Sequence, residues 1–121
     1  MIIDSIDVNV IEHLSFCQQK STEITEVIWA NKDGESGKPY DFKIMEDGHE
    51  YYIDVKGTPS GVKDLIYLSP NEWKFMFDKR EKYSIYRVYN AGKDARIEII
   101  ENPSNLLQKG KIFPNPITLQ V

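Results

Sequence analysis

One cysteine, two histidines and no surplus of positive charge mark what this 121-residue sequence is short of. Cys17 alone cannot build an internal disulfide framework or a cysteine-based zinc cluster. No apolar run nears the roughly 18 residues that a membrane span needs. The opening Met1-Ile2-Ile3-Asp4 lacks the basic, apolar character of a secretory leader. These absences set the expectation of a reduced, cytoplasmic protein without a membrane partner. A formal charge of −4 argues against wholesale electrostatic binding to nucleic acid, which normally shows as a strongly basic domain. It leaves room for an enzyme acting on nucleic acid, which can concentrate acids at a metal and keep lysines on the rim.

What is present fits an ordinary globular chain. Apolar residues make up 40%, charged residues 28% and aromatics 12%, enough to build a core and to exclude intrinsic disorder. No repeat, low-complexity tract or linker divides the chain, so a single domain over 1–121 is expected.

Residues 7–19 carry Val10, Leu14 and Cys17 at helical spacing, with Asp7 available as a cap, and predict an amphipathic helix. Residues 22–30 are weighted toward β-branched and aromatic side chains and predict a strand, followed by a polar loop over 31–38. Two alternating runs, 39–46 and 49–57, flank Asp47-Gly48, the signature of a two-residue hairpin turn. Ser69-Pro70-Asn71-Glu72 reads as a capped helix start, with the helix running to about Lys82. Residues 83–89 and 96–101 predict two further strands, and the tail after Asn102 predicts a short helical turn and a last extended segment. The order α-β-β-β-α-β-β is an α+β layout, a mixed or antiparallel sheet against helices.

The hairpin turn fixes a register in which opposing residue numbers sum to 95. Phe42 then opposes Ile53, Ile44 opposes Tyr51 and Tyr40 opposes Val55, all apolar and all on one face. On the other face, Lys43 opposes Tyr52, Pro39 opposes Lys56, and Asp41 falls directly across from Asp54. Opposed carboxylates destabilise a sheet and raise each other's pKa. A divalent cation is the simplest compensation, because Mg²⁺ commonly takes one or two protein carboxylates with waters and substrate phosphates. Lys56, two residues beyond Asp54, can face the same site. Two acids and a lysine around one metal form a phosphodiester hydrolysis site. The plain alternative is a solvated face on which Lys43 and Lys56 neutralise the acids. In a purely structural domain, Asp41→Asn would relieve the acid pair and raise stability.

Other residues point to no chemistry. His13 and His49 are isolated, with no zinc spacing. Ser60 and Ser69 lack histidine–acid partners, and the glycines of 31–37 lack the lysine-serine/threonine ending of a phosphate loop. Trp73, Phe75 and Phe77 read as core and rim of a helix rather than a base-stacking platform.

Taken together, Pro39-Tyr40-Asp41-Phe42, Tyr52-Ile53-Asp54-Val55-Lys56-Gly57-Thr58 and Ser69-Pro70-Asn71-Glu72-Trp73 resemble the NO VEIN C-terminal domain family. Tyr83 to Val88, Asn102-Pro103 and Gly110-Lys111-Ile112 extend the resemblance, which runs from about Thr22 to the C-terminus. That family occurs in plant proteins and in bacterial multidomain proteins linked to phage defence. It is considered similar to the PD-(D/E)XK restriction-endonuclease-like superfamily, with an α-β-β-β-α-β core. The resemblance implies an Mg²⁺- or Mn²⁺-dependent nuclease acting on DNA. Asp41, Asp54 and the Val55 carbonyl would hold the metal, and Lys56 would orient or activate the attacking water.

Superfamily members often carry a further acid on the N-terminal helix, for which Glu12 is the candidate here, although its neighbours Ile11 and Leu14 suggest a solvated glutamate. Glu35 reads as a loop residue. Glu72 is attractive by resemblance, yet capping and the helix dipole also explain it. Lys38, Lys43, Lys63 and Lys74 are candidates for phosphate contacts. A homodimer and a module of a larger protein both stay open. The competing functional class is a catalytically silent nucleic-acid-binding or protein-interaction module of the same fold.

Overall fold

The computed structural model describes residues 5–20, 23–34, 36–62, 65–115 and 120. In chain order they form α1 (Ser5–Lys20), β1 (Ile24–Trp29), β2 (Phe42–Glu46), β3 (His49–Gly57), α2 (Pro70–Lys79), β4 (Tyr83–Tyr89), β5 (Arg96–Glu101) and α3 (Pro103–Gln108). The five strands make one mixed sheet in the order β1-β2-β3-β4-β5. Neighbours are antiparallel except β3 and β4, which run parallel and are connected through α2. The expected α+β order is present. Asp7 lies inside α1 rather than at its cap, because the helix begins at Ser5. The expected last extended segment falls largely outside the described residues.

The hairpin between β2 and β3 forms where the turn chemistry requires it. Asp47 (φ 50°) and Gly48 (φ 76°) both take positive φ, as a primed two-residue turn demands. Phe42↔Ile53, Lys43↔Tyr52, Ile44↔Tyr51 and Glu46↔His49 pair in the expected register. The ladder then stops. Asp41 does not become the cross-strand partner of Asp54, nor Tyr40 of Val55. Instead the Asp41 amide donates to the Ile53 carbonyl at 2.9 Å, and Ile53 is already the partner of Phe42. Two residues of one chain therefore face one on β3, the geometry of a β-bulge, which re-aims the side chain it carries.

Strand alternation divides the core between the two faces of the sheet. Phe42, Ile44, Ile53, Tyr86 and Val88 pack under Val10 and Leu14 of α1. Tyr52, Tyr83 and Ile85 occupy the other face with Met76 of α2 and, partly buried, Leu107 of α3. A two-stranded hairpin alone is marginal in water; β1 and β4 flank this one and helices cover both of its faces.

At α2, Ser69 accepts from the Glu72 amide at 3.1 Å while Glu72 Oε1 accepts from the Ser69 amide at 2.8 Å, completing the expected capping box. Such caps contribute about 1 kcal/mol. The helix ends at Lys79, sooner than expected, because Arg80 turns to φ 51° and a 3₁₀ turn over Arg80–Lys82 feeds Tyr83 into β4.

Candidate active site

The seam between β3 and β4, beneath the start of α2, gathers the charged side chains. Tyr52, Asp54 and Lys56 fall on every second residue of β3 and so share the face that α2 covers. Asp54 is only 2% exposed. Lys56 Nζ lies 3.3 Å from Asp54 Oδ2 and 3.0 and 2.9 Å from the two oxygens of Glu72. The carboxylate that caps α2 thus also receives the lysine, and the capping and site roles of Glu72 are compatible.

Asp41 reaches the cluster through the bulge. Its Oδ2 accepts from the Val55 amide at 2.6 Å and its Oδ1 from Asn31 Nδ2 at 2.9 Å. Asn31 is fixed in turn, its Oδ1 accepting from the Ser36 amide and hydroxyl, both at 3.0 Å. On β4, Arg87 pairs across from Lys56 and is buried, donating to the carbonyls of Leu65 (3.0 Å) and Lys56 (3.4 Å). It ties the segment leading to α2 onto the strand that carries the lysine.

Burial dominates the electrostatics. It pushes the Asp54 carboxyl up to about 9 against the pull of Lys56, with hydrogen bonding and repulsion from Asp41 adding to the rise. Burial works against the Lys56 charge as well, but Asp54 and Glu72 outweigh it and hold the ammonium above the ordinary lysine range. Glu72 sits below the usual carboxylate range: burial opposes its charge, and the Ser69 amide and Lys56 prevail. Tyr83, wholly buried, has its hydroxyl pushed far up by burial first, then by the charges of Asp54 and Glu72, by the nearness of the hydroxyl to the Asp54 carboxyl, and last by the Asp41 charge.

Of the residues singled out in the sequence, Asp41, Asp54, Val55, Lys56 and Glu72 come together. Glu12 does not join them: it is exposed on α1, which packs against the opposite face of the sheet. Lys43 faces Glu50 at 3.8 Å, Lys38 lies over the Tyr40 ring at 5.9 Å, and Lys74 is exposed on α2. Lys63 and Glu35 lie outside the described residues. Asn31, Tyr83 and Arg87 are the site neighbours that sequence reasoning missed. Tyr83 reads as an ordinary strand aromatic until the parallel register of β3 and β4 is known. Nothing local marks Asn31 or Arg87.

The donor set suits a hard cation. Among the described residues no group of three or more His, Cys, Asp and Glu gathers as a ready cage. Two carboxylates and a neighbouring backbone carbonyl are nevertheless the kind of set that Mg²⁺ completes with waters and substrate phosphates. The second signal is Asp54 Oδ2, buried without a hydrogen-bond partner although the Lys56 ammonium is near. Native structures seldom leave such an atom without a water, ion or catalytic role.

The chain matches the family described as Protein NO VEIN, C-terminal, over residues 10–100. It is 37% identical over 87 residues to Protein NO VEIN of Arabidopsis thaliana, an alignment covering 71% of this chain and 3% of that protein. To Protein NO VEIN-LIKE of the same plant it is 38% identical over 88 residues, covering 71% of this chain and 13% of the relative. It therefore spans only a small part of the length of either. No solved structure matches the chain. With most of its length inside the match, and Asp41, Asp54, Lys56 and Glu72 all within it, the chain belongs to the NO VEIN C-terminal domain family.

Proposed function

We propose that this domain is a restriction-endonuclease-like nuclease module that hydrolyses DNA phosphodiester bonds with Mg²⁺ or Mn²⁺. The observation that carries the reading is the convergence of Asp41, Asp54, Lys56 and Glu72 at one end of the sheet, with Asp54 buried and its Oδ2 lacking a hydrogen bond. The order α-β-β-β-α-β, with Asp41 just ahead of the second strand and Asp54 and Lys56 on the third, supports assignment to the PD-(D/E)XK class. Asp41, Asp54 and the Val55 carbonyl are the groups to hold the ion. When bound, the ion supplies Lewis-acid activation of water and neutralises charge developing on the phosphate. Lys56 is placed to orient the water and to stabilise the transition-state charge. Glu72 holds the lysine ready, and the bonds from Asn31 and Val55 fix Asp41.

Plasmid DNA incubated with the protein and Mg²⁺ or Mn²⁺ tests this reading. Nicking or linearisation should require the metal and fall by at least about a hundredfold in Asp54→Ala and Lys56→Ala, the scale on which removing one transition-state donor acts. Cleavage equal in wild type and both variants, or none by wild type, sinks it. One observation favours a second reading, a catalytically silent interaction module: Glu72 takes Lys56 through both of its oxygens. A module of that kind keeps nucleic-acid or protein binding when Asp54 or Lys56 is replaced.

A further inference from the structure

Two side-chain oxygens near this site are buried without a hydrogen bond: Asp54 Oδ2 and the Tyr83 hydroxyl. They share a sheet face. Asp54 pairs across the parallel seam with Ile85, so Tyr83, two residues earlier on β4, is its diagonal neighbour on that side. The Tyr83 ring is fully enclosed, edge-on to Phe75 of α2 with centroids 5.9 Å apart. Phenylalanine would supply the same packing. The hydroxyl adds a donor that costs about 1–3 kcal/mol when buried unsatisfied. A group of that cost points to a state of the molecule in which it is used.

We propose that Tyr83 is the positioning residue for Asp54, its hydroxyl donating to the Asp54 carboxylate when that carboxylate binds a divalent cation and so fixing which oxygen faces the ion. The inference rests on the metal-site reading above and deepens it. Carboxylates that ligate metals are themselves hydrogen-bonded, and loss of such an outer partner typically weakens metal affinity about 10–100-fold. Two other tyrosines pack on this face: Tyr52 donates to Glu50 Oε2 at 2.7 Å, and the Tyr40 ring stacks on Phe75 with centroids 5.6 Å apart.

The experiment is calorimetric titration of Mn²⁺ into wild type, Tyr83→Phe and Tyr52→Phe, each checked for fold by circular dichroism and by the fitted stoichiometry. Tyr83→Phe should bind Mn²⁺ about 10–100-fold more weakly at unchanged stoichiometry, with metal-free stability equal to or above wild type. Tyr52→Phe should bind as wild type does. Wild-type affinity in Tyr83→Phe, with or without a change in stability, leaves the hydroxyl a passenger in the core and overturns this proposal alone. Equal weakening in Tyr52→Phe also overturns it, because the effect would then be general softening of the face. No Mn²⁺ binding by the wild type overturns both this proposal and the metal-site reading.

Discussion

In metal-free protein, Asp54→Asn should remove most of the pH dependence of stability between pH 5 and pH 8. The folded state raises the Asp54 carboxyl from 3.8 to about 9, chiefly by burial. In that interval the native chain holds a proton that the unfolded chain has released. The native state is therefore favoured at low pH, and its stability falls as pH rises toward the folded value. The limiting slope is about 1.4 kcal/mol per pH unit, so on the order of 4 kcal/mol is lost between pH 5 and pH 8. That is a large share of the roughly 5–15 kcal/mol that holds a domain of this kind together. Asparagine carries no titrating proton, so the comparison with wild type isolates Asp54 together with the groups coupled to it. Urea unfolding in EDTA, followed by circular dichroism at pH 5, 6.5 and 8, should show the variant gaining on wild type at each step. A constant difference across the three pH values, or a shrinking one, refutes the argument that burial dominates at Asp54. Saturating Mg²⁺ at pH 8 should restore wild type by about 2.7 kcal/mol when present at a hundred times its dissociation constant, and leave Asp54→Asn unmoved.

Two further expectations concern the flanking acids. Asp41 accepts from both Asn31 and the Val55 amide, so Asp41→Ala should cost about 1–3 kcal/mol in a urea melt. This reverses the stabilisation expected for an opposed acid pair, and an Asp41→Ala or Asp41→Asn variant more stable than wild type would contradict the geometry. Glu72→Gln keeps a side chain able to complete the capping box, whereas Glu72→Ala does not. In thermal melts the alanine variant should lose about 1 kcal/mol more than the glutamine variant, while both lower cleavage by the same factor if the charge on Glu72 serves Lys56.

The hairpin was legible because two independent signals agree there. Asp47-Gly48 fixes the turn, and the apolar pairs Phe42–Ile53 and Ile44–Tyr51 fix the register. The same logic carried one residue further went wrong at Asp41. A bulge that ends a ladder depends on where Asn31 and Val55 come to lie, and neither shows in the local pattern. Glu72 illustrates a different limit. Its capping role follows from the Ser69 spacing, but its second partner is 16 residues away in sequence and becomes visible only when α2 lands on β3. Tyr83 was out of reach because the parallel pairing of β3 with β4 passes through a helical connection, whose register no turn dictates.

That parallel seam also joins two parts of the molecule that are each built from local pairings. The β1–β2–β3 meander and the β4–β5 hairpin are built from near neighbours in the chain, whereas joining them requires closing the long segment that contains α2. Loop closure of this kind is the slow entropic step in folding. Asp54 and Lys56 lie on one side of the join, Tyr83 and Arg87 on the other, and Glu72 on the connection itself. The full constellation therefore needs that long-range contact: the meander alone brings Asp41, Asp54 and Lys56 together, but without the closed seam it lacks Glu72 to hold the lysine and leaves Asp54 open to water.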